Sequence, residues 1–109
     1  MRDRRTFQEL RRHGRRVRSG AVTVTVLLSP SPSTEPPRVA FAVPRSVGPA
    51  VVRNRLRRRI RAHLGEVRRS SPERLSAGAW LVALSPSAAD VPAEALLADV
   101  DRCLDRCGA

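Results

Sequence analysis

Ten residues in the middle of the chain, Val52-Arg-Asn-Arg-Leu-Arg-Arg-Arg-Ile-Arg61, constrain the fold more than any other segment. At helical spacing Val52, Leu56 and Ile60 fall on one stripe, which Leu64 and Val67 extend. Arg53, Arg57 and Arg61 form an outward row beside it, and Arg55, Arg58 and Arg59 cover the remaining arc. Asn54 sits within this basic surface. Like charges four residues apart cost a few tenths of a kcal/mol each, so such a helix is weak in isolation. It is expected over about residues 49–67 only if its aliphatic stripe is buried against other elements and its charge meets an anion.

The rest of the chain supplies no internal neutralisation. No acid lies between Glu35 and Glu66. All 21 basic residues are arginine, against 10 acids, for a formal charge of +11 and a pI near 11.8. Residues 1–74 hold 19 arginines and 5 acids, whereas residues 75–109 hold 2 and 5. Self-repulsion of this kind weakens a compact state, and its usual compensation is a polyanionic partner. Arginine forks onto phosphates and stacks on planar groups as lysine does not. A merely solvated face would normally mix both signs. A helix lying on an anionic membrane would normally carry Trp or Phe on its apolar side, and this one has only aliphatics.

At 109 residues the chain has room for one domain, and 41% hydrophobic residues suffice for a core. No apolar run approaches the ~20 residues of a membrane span. The opening Met-Arg-Asp-Arg-Arg lacks the apolar stretch of a secretory signal, and two cysteines make no disulfide scaffold. The expected location is the cytoplasm, with no membrane association.

Local patterns fill in the order. Thr6-Phe7-Gln8-Glu9 has capping-box spacing, and Gly14 suits a helix end, which predicts a first helix from about Asp3 or Thr6 to His13. Phe7 and Leu10 are its apolar anchors. A short basic strand follows over Arg15–Arg18, turned back by Ser19-Gly20. In Ala21–Leu28, Val22, Val24 and Val26 alternate with Thr23 and Thr25, as in a half-buried antiparallel strand. Ser29–Pro37 reads as a loop. Arg38–Val43 alternates large with small residues, leaving a shallow trough on one sheet face, and Pro44 ends it. Pro49 fits the first position of the basic helix. Ala79–Leu84 is apolar enough to be covered on both faces. Pro92 opens a last helix with Leu96, Leu97, Val100, Cys103, Leu104 and Cys107 on one side. The result is an α+β fold, a single-domain α/β sandwich with helices packed on a small sheet.

The run Phe41-Ala-Val-Pro-Arg-Ser-Val-Gly-Pro-Ala-Val-Val-Arg-Asn-Arg-Leu-Arg-Arg-Arg-Ile-Arg61 resembles the signature of the bacterial ribonuclease P protein subunit family. That family has a strand ending in a Ser-Lys-Lys-type stretch, then Val-Gly-x-Ala-Val-x-Arg-Asn-Arg and a basic helix. Phe7 and Gly14, the strand over 38–43 and the segment 79–107 match as well, so the resemblance covers essentially the whole chain. It implies an αβββαβα order with an unusual left-handed βαβ crossover, and residues 1–109 acting as a single RNA-binding domain. It further implies a protein that serves a catalytic RNA removing the 5′ leader of precursor tRNA. In the family the RNA performs the hydrolysis with bound Mg²⁺, and no catalytic or metal-ligating residue is assigned to this chain. The implied partners are that RNA and the leader, with no obligate protein partner.

Carried over by position, Arg53, Asn54 and Arg55 are the motif, and Arg57, Arg58, Arg59 and Arg61 continue its basic surface. Arg45 falls at the first lysine of the Ser-Lys-Lys stretch. Phe7, with Thr23 and Thr25 on the sheet, falls at the leader cleft. The chain departs from the pattern at Pro44 and Ser46, and Thr23 and Thr25 stand where the family often has an aromatic. Leader binding is therefore expected to rely on shape and phosphate contacts around Phe7.

Other readings rest on fewer residues. His13 and His63 could serve a metal-free ribonuclease as acid and base, but spacing alone does not bring them together. Cys103 and Cys107 have a separation compatible with two metal ligands, yet no other Cys or His lies nearby, and both project from the apolar stripe. Trp80 and Phe41 read as core residues. A generic basic RNA-binding module, such as a ribosomal protein or an RNA chaperone, fits the composition but does not account for the motif run.

Overall fold

The computed structural model describes residues 4–28 and 37–107, without the side chains of residues 4–7 and 11. The predicted loop over 29–37 therefore lies, apart from Pro37, outside the described residues. The valine alternation of residues 22–26 organises the sheet. Strand β1 (Arg15–Ser19) returns into β2 (Val22–Leu28) through Gly20-Ala21, and Gly20 supplies the positive φ of 57° that suits this two-residue connection. Strand β3 (Arg38–Ala42) and strand β4 (Gly78–Leu84) complete one four-stranded sheet in the order β1-β2-β4-β3. β4 runs antiparallel to β2 and parallel to β3. The crossover between the two parallel strands contains helix α2 (Ala50–Ser70). A strand in the middle of the sheet has both edges paired, which suits the apolar sequence of β4.

One face of the sheet is built from Val22, Val24, Val26, Trp80, Val82 and Leu84, all buried, with Val17, Val39 and Phe41 at its margins. α2 and the last helix, α3 (Ala93–Cys107), close over it with Ile60, Leu64, Leu96, Val100, Cys103 and Leu104. The other face is covered in part by α1 (Arg4–His13), whose Leu10 is buried. Gly14 lets α1 approach: a Cβ there would lie 2.8 Å from Thr25 Cγ2 and collide with the carbonyl of Leu10. Space, and not a left-handed backbone, is why glycine follows this helix.

Three expectations need correction. α1 already includes Arg4, which leaves the start near Asp3 and excludes the one at Thr6, a residue inside the helix. α2 begins at Ala50, with Pro49 as its cap, and continues three residues past Val67. Its last turn is closed by Ser70 Oγ donating to the Glu66 carbonyl at 2.9 Å and by Ser71 N–H donating to the Val67 carbonyl at 2.8 Å. β4 is not covered on both faces: Leu81 and Ala83 remain half-exposed, because α1 reaches only part of that side.

Candidate nucleic-acid interface

The stripe on α2 faces the core, as its spacing requires, but burial grows along the helix. Val52 and Leu56 are half-buried, whereas Ile60, Leu64 and Val67 are buried. The first half of α2 thus stands at the rim of the molecule, with the short 3₁₀ turn Arg45–Val47 packed beside it through buried Val47. No acid lies in the first turn of α2. The helix N-terminus contributes partial positive charge to a region already crowded with guanidinium groups.

The arginines of this surface divide into two sets. Arg53 is half-buried, and its Nε donates to the Gly48 carbonyl at 3.1 Å. Arg57 is half-buried, and its Nη1 donates to Asn54 Oδ1 at 2.9 Å. Arg61 is exposed, with its guanidinium carbon 5.3 Å from the centre of the Phe41 ring. The row expected to face outward is therefore tethered to the protein along its length. Arg55, Arg58 and Arg59 are exposed and surround an open concavity, and Arg45 is exposed on the neighbouring 3₁₀ turn. Among the described residues, no carboxylate forms an ion pair with any of these arginines. Such a surface attracts phosphate groups and displaces counterions from them.

A second feature lies on the opposite face of the sheet. A cleft of about 510 Å³ opens between the end of α1 and the strands, lined by Leu10, Gly14, Arg16, Thr25, Ala42, Leu81 and Ala83. The trough expected from the small residues of β3 is thus present at Ala42, with Ala83 of β4 beside it. Of the residues assigned to the leader cleft, Thr25 lines it. Thr23 shares the face but is not part of the lining, and Phe7 lies on α1 with its side chain outside the described residues. Arg16 was missed. The signal was the two-residue turn at Gly20-Ala21, which pairs Ser19 with Val22 and, counting outward, Arg16 with Thr25.

The two histidines are not brought together. His13 is exposed at the end of α1, while His63 projects from α2 on the other side of the sheet. His63 Nε2 lies 2.7 Å from Asp101 Oδ1 of α3, a partner 38 residues away. Asp101 also neighbours Arg74, which pairs with Asp105 at 2.9 Å. Asp99 of α3 is buried: it accepts from Ser19 Oγ at 2.9 Å and pairs with Arg102.

Cys103 and Cys107 are free, buried thiols in the core, and burial pushes both thiol pKa values up, which disfavours the thiolate. Among the described residues, no group of three or more His, Cys, Asp or Glu side chains is arranged to hold a metal ion. Trp80 is buried, and its Nε1 donates to the Ser76 carbonyl at 2.9 Å. Among the described residues, no helix is long and apolar enough to cross a membrane.

Comparison with known proteins gives a consistent result. The family model described as Ribonuclease P matches residues 1–108. A ribonuclease P protein component from Nocardioides is 42% identical over 110 residues, covering 100% of this chain and 91% of the relative. One from Thermobifida fusca is 39% identical, covering 95% and 72%. The solved structure of the Staphylococcus aureus RNase P protein superposes with a TM-score of 0.79 at 20% identity, covering 97% of this chain and 92% of that one. The RNase P protein from Thermotoga maritima gives a TM-score of 0.73 at 21% identity, covering 97% and 94%. At that identity the structures speak for the fold, and the sequence relatives speak for the family.

Proposed function

We infer the activity from one premise, that this chain belongs to the ribonuclease P protein family: it is the protein component of the ribonucleoprotein that removes the 5′ leader of precursor tRNA. The observation that carries the reading is the surface of α2, where Arg55, Arg58 and Arg59 stand without carboxylate partners on a helix anchored at Ile60 and Leu64. An unneutralised cation array of this kind suits a folded RNA, which is recognised chiefly through its shape and phosphates. The protein works in the cytoplasm, bound to the catalytic RNA of the complex.

In this reading the hydrolysis belongs to the RNA, and Mg²⁺ held there supplies Lewis-acid activation of the phosphodiester. The chain's own residues bind and orient. The arginines of α2, with Arg45, dock the RNA. The cleft beneath α1 takes the single-stranded leader: Thr25, Ala42 and Ala83 form a floor shallow enough for a strand, and Arg16 stands at its side for a phosphate. Leader contacts favour precursor over mature tRNA, because the product has lost the strand that fills the cleft.

Reconstitution with the host's ribonuclease P RNA tests this. The protein is expected to lower the Mg²⁺ concentration needed for correct 5′ ends and to tighten binding of precursor relative to mature tRNA. An RNA whose cleavage and Mg²⁺ requirement are unchanged by the protein would refute the assignment.

A further inference from the structure

The tethers on α2 separate arginines that sequence alone treats as equivalent. Arg53, Arg57 and Arg61 succeed one another at four-residue intervals, about 6 Å apart along the helix axis. Each is held by a different device: the Gly48 carbonyl, the Asn54 amide oxygen and the Phe41 ring. In every case only part of the guanidinium is used. Arg53 gives up its Nε–H and keeps both terminal nitrogens. Arg57 commits one N–H at Nη1. Arg61 rests on a ring face, which leaves all five donors at its edge. A guanidinium held this way presents a fork of set direction and loses less freedom on meeting a phosphate. Arg55, Arg58 and Arg59 form no such contact among the described residues, and they surround the open concavity.

We propose that Asn54 and Phe41 are positioning residues that, together with the Gly48 carbonyl, fix Arg53, Arg57 and Arg61 as a rigid row setting the orientation of the bound RNA, while Arg55, Arg58 and Arg59 act through charge alone. The proposal rests on the reading of α2 as the RNA-binding helix. Phe41 is then more than a core residue. Its ring, half-buried at the margin of the apolar layer, is the platform on which Arg61 is aimed.

The test uses the full chain and the host's ribonuclease P RNA, with binding measured across a salt series. Lysine keeps the charge but not the fork or the planar stack. Arg57→Lys and Arg61→Lys are expected to weaken binding about three- to tenfold with the salt slope unchanged. Arg58→Lys and Arg59→Lys should change it less than about twofold, since a charge is all they supply.

Double-mutant cycles isolate the positioning residues. Asn54→Ala should weaken binding in the parent chain and have no further effect once Arg57 is alanine. Phe41→Leu should behave likewise toward Arg61→Ala, and Phe41→Tyr should retain wild-type binding. A purely structural role for either residue would persist in the background lacking its arginine. Melting temperatures taken alongside identify a Phe41→Leu chain that fails to fold, in which case the Asn54 cycle decides. Equal tolerance of lysine in both sets, or effects of Asn54→Ala and Phe41→Leu that add to those of the arginines, would overturn the proposal. A wild-type chain that does not bind the RNA at all would instead refute the function on which it rests.

Discussion

The two ends of α2 follow opposite rules although they share one helix. In the first half the apolar stripe is half-exposed at Val52 and Leu56, and the guanidinium groups meet no acid among the described residues. In the second half the stripe is buried at Ile60, Leu64 and Val67, and several polar groups find partners: His63 with Asp101, Arg69 with Glu66, and Arg68 with the Leu75 carbonyl. The difference lies in what faces each half. The later turns pack beside acidic α3, while the earlier ones project from the rim of the sheet. A helix that must offer charge to a partner is thus stabilised where it does not do so. The buried half pins an exposed half that would be weak alone, since like charges at helical spacing repel.

The largest effect expected from this division is on stability. Ile60→Ala should cost about 2–5 kcal/mol in denaturant unfolding, and half-buried Val52→Ala only about 1 kcal/mol. Equal costs would mean that the helix is anchored evenly. Next comes the salt dependence of RNA binding. Replacing Arg55, Arg58 and Arg59 together by alanine should lower the slope of log K against log salt by about three units, close to one for each cation. Their removal should leave thermal unfolding unchanged or raise its midpoint slightly, because repulsion is relieved. An unaltered slope would place the RNA on another surface. The smallest effect is expected at Asp101→Asn, which weakens the link from His63 and Arg74 to α3. A partly exposed pair contributes about 0.2–1 kcal/mol, so unfolding should shift by no more than that, and RNA affinity at fixed salt should be almost unchanged. A marked loss of affinity would show that the two halves of α2 are coupled and not separate in role.

Legibility in the sequence followed the same division. The stripe of α2, the valine face of β2, the core positions of Trp80, Cys103 and Cys107, and the order of helices and strands were all readable, because each rests on neighbours two to four residues apart. The family resemblance added the expected crossover and the expected RNA partner to that reading. What failed was what depended on distant neighbours. Arg61 looked like part of a free outward row, but the Phe41 ring beneath it comes from a strand 20 residues earlier. Nothing near Asp99 in the sequence marks it as buried, yet the β1–β2 turn closes over it and its partner Ser19 is 80 residues away. Leu81 and Ala83 looked covered, and the short reach of α1 leaves them in an open cleft.

The amino-acid sequence by itself determined that this chain forms an α+β domain with a helix saturated in arginine and pinned on one side, because periodicity and charge are properties of short segments. Only the tertiary structure decided which arginines are held and which are left to solvent, and where a cleft opens beside Arg16. Those outcomes depend on which elements the chain path brings together, and a guanidinium group is fixed by whatever carbonyl, amide or ring arrives next to it.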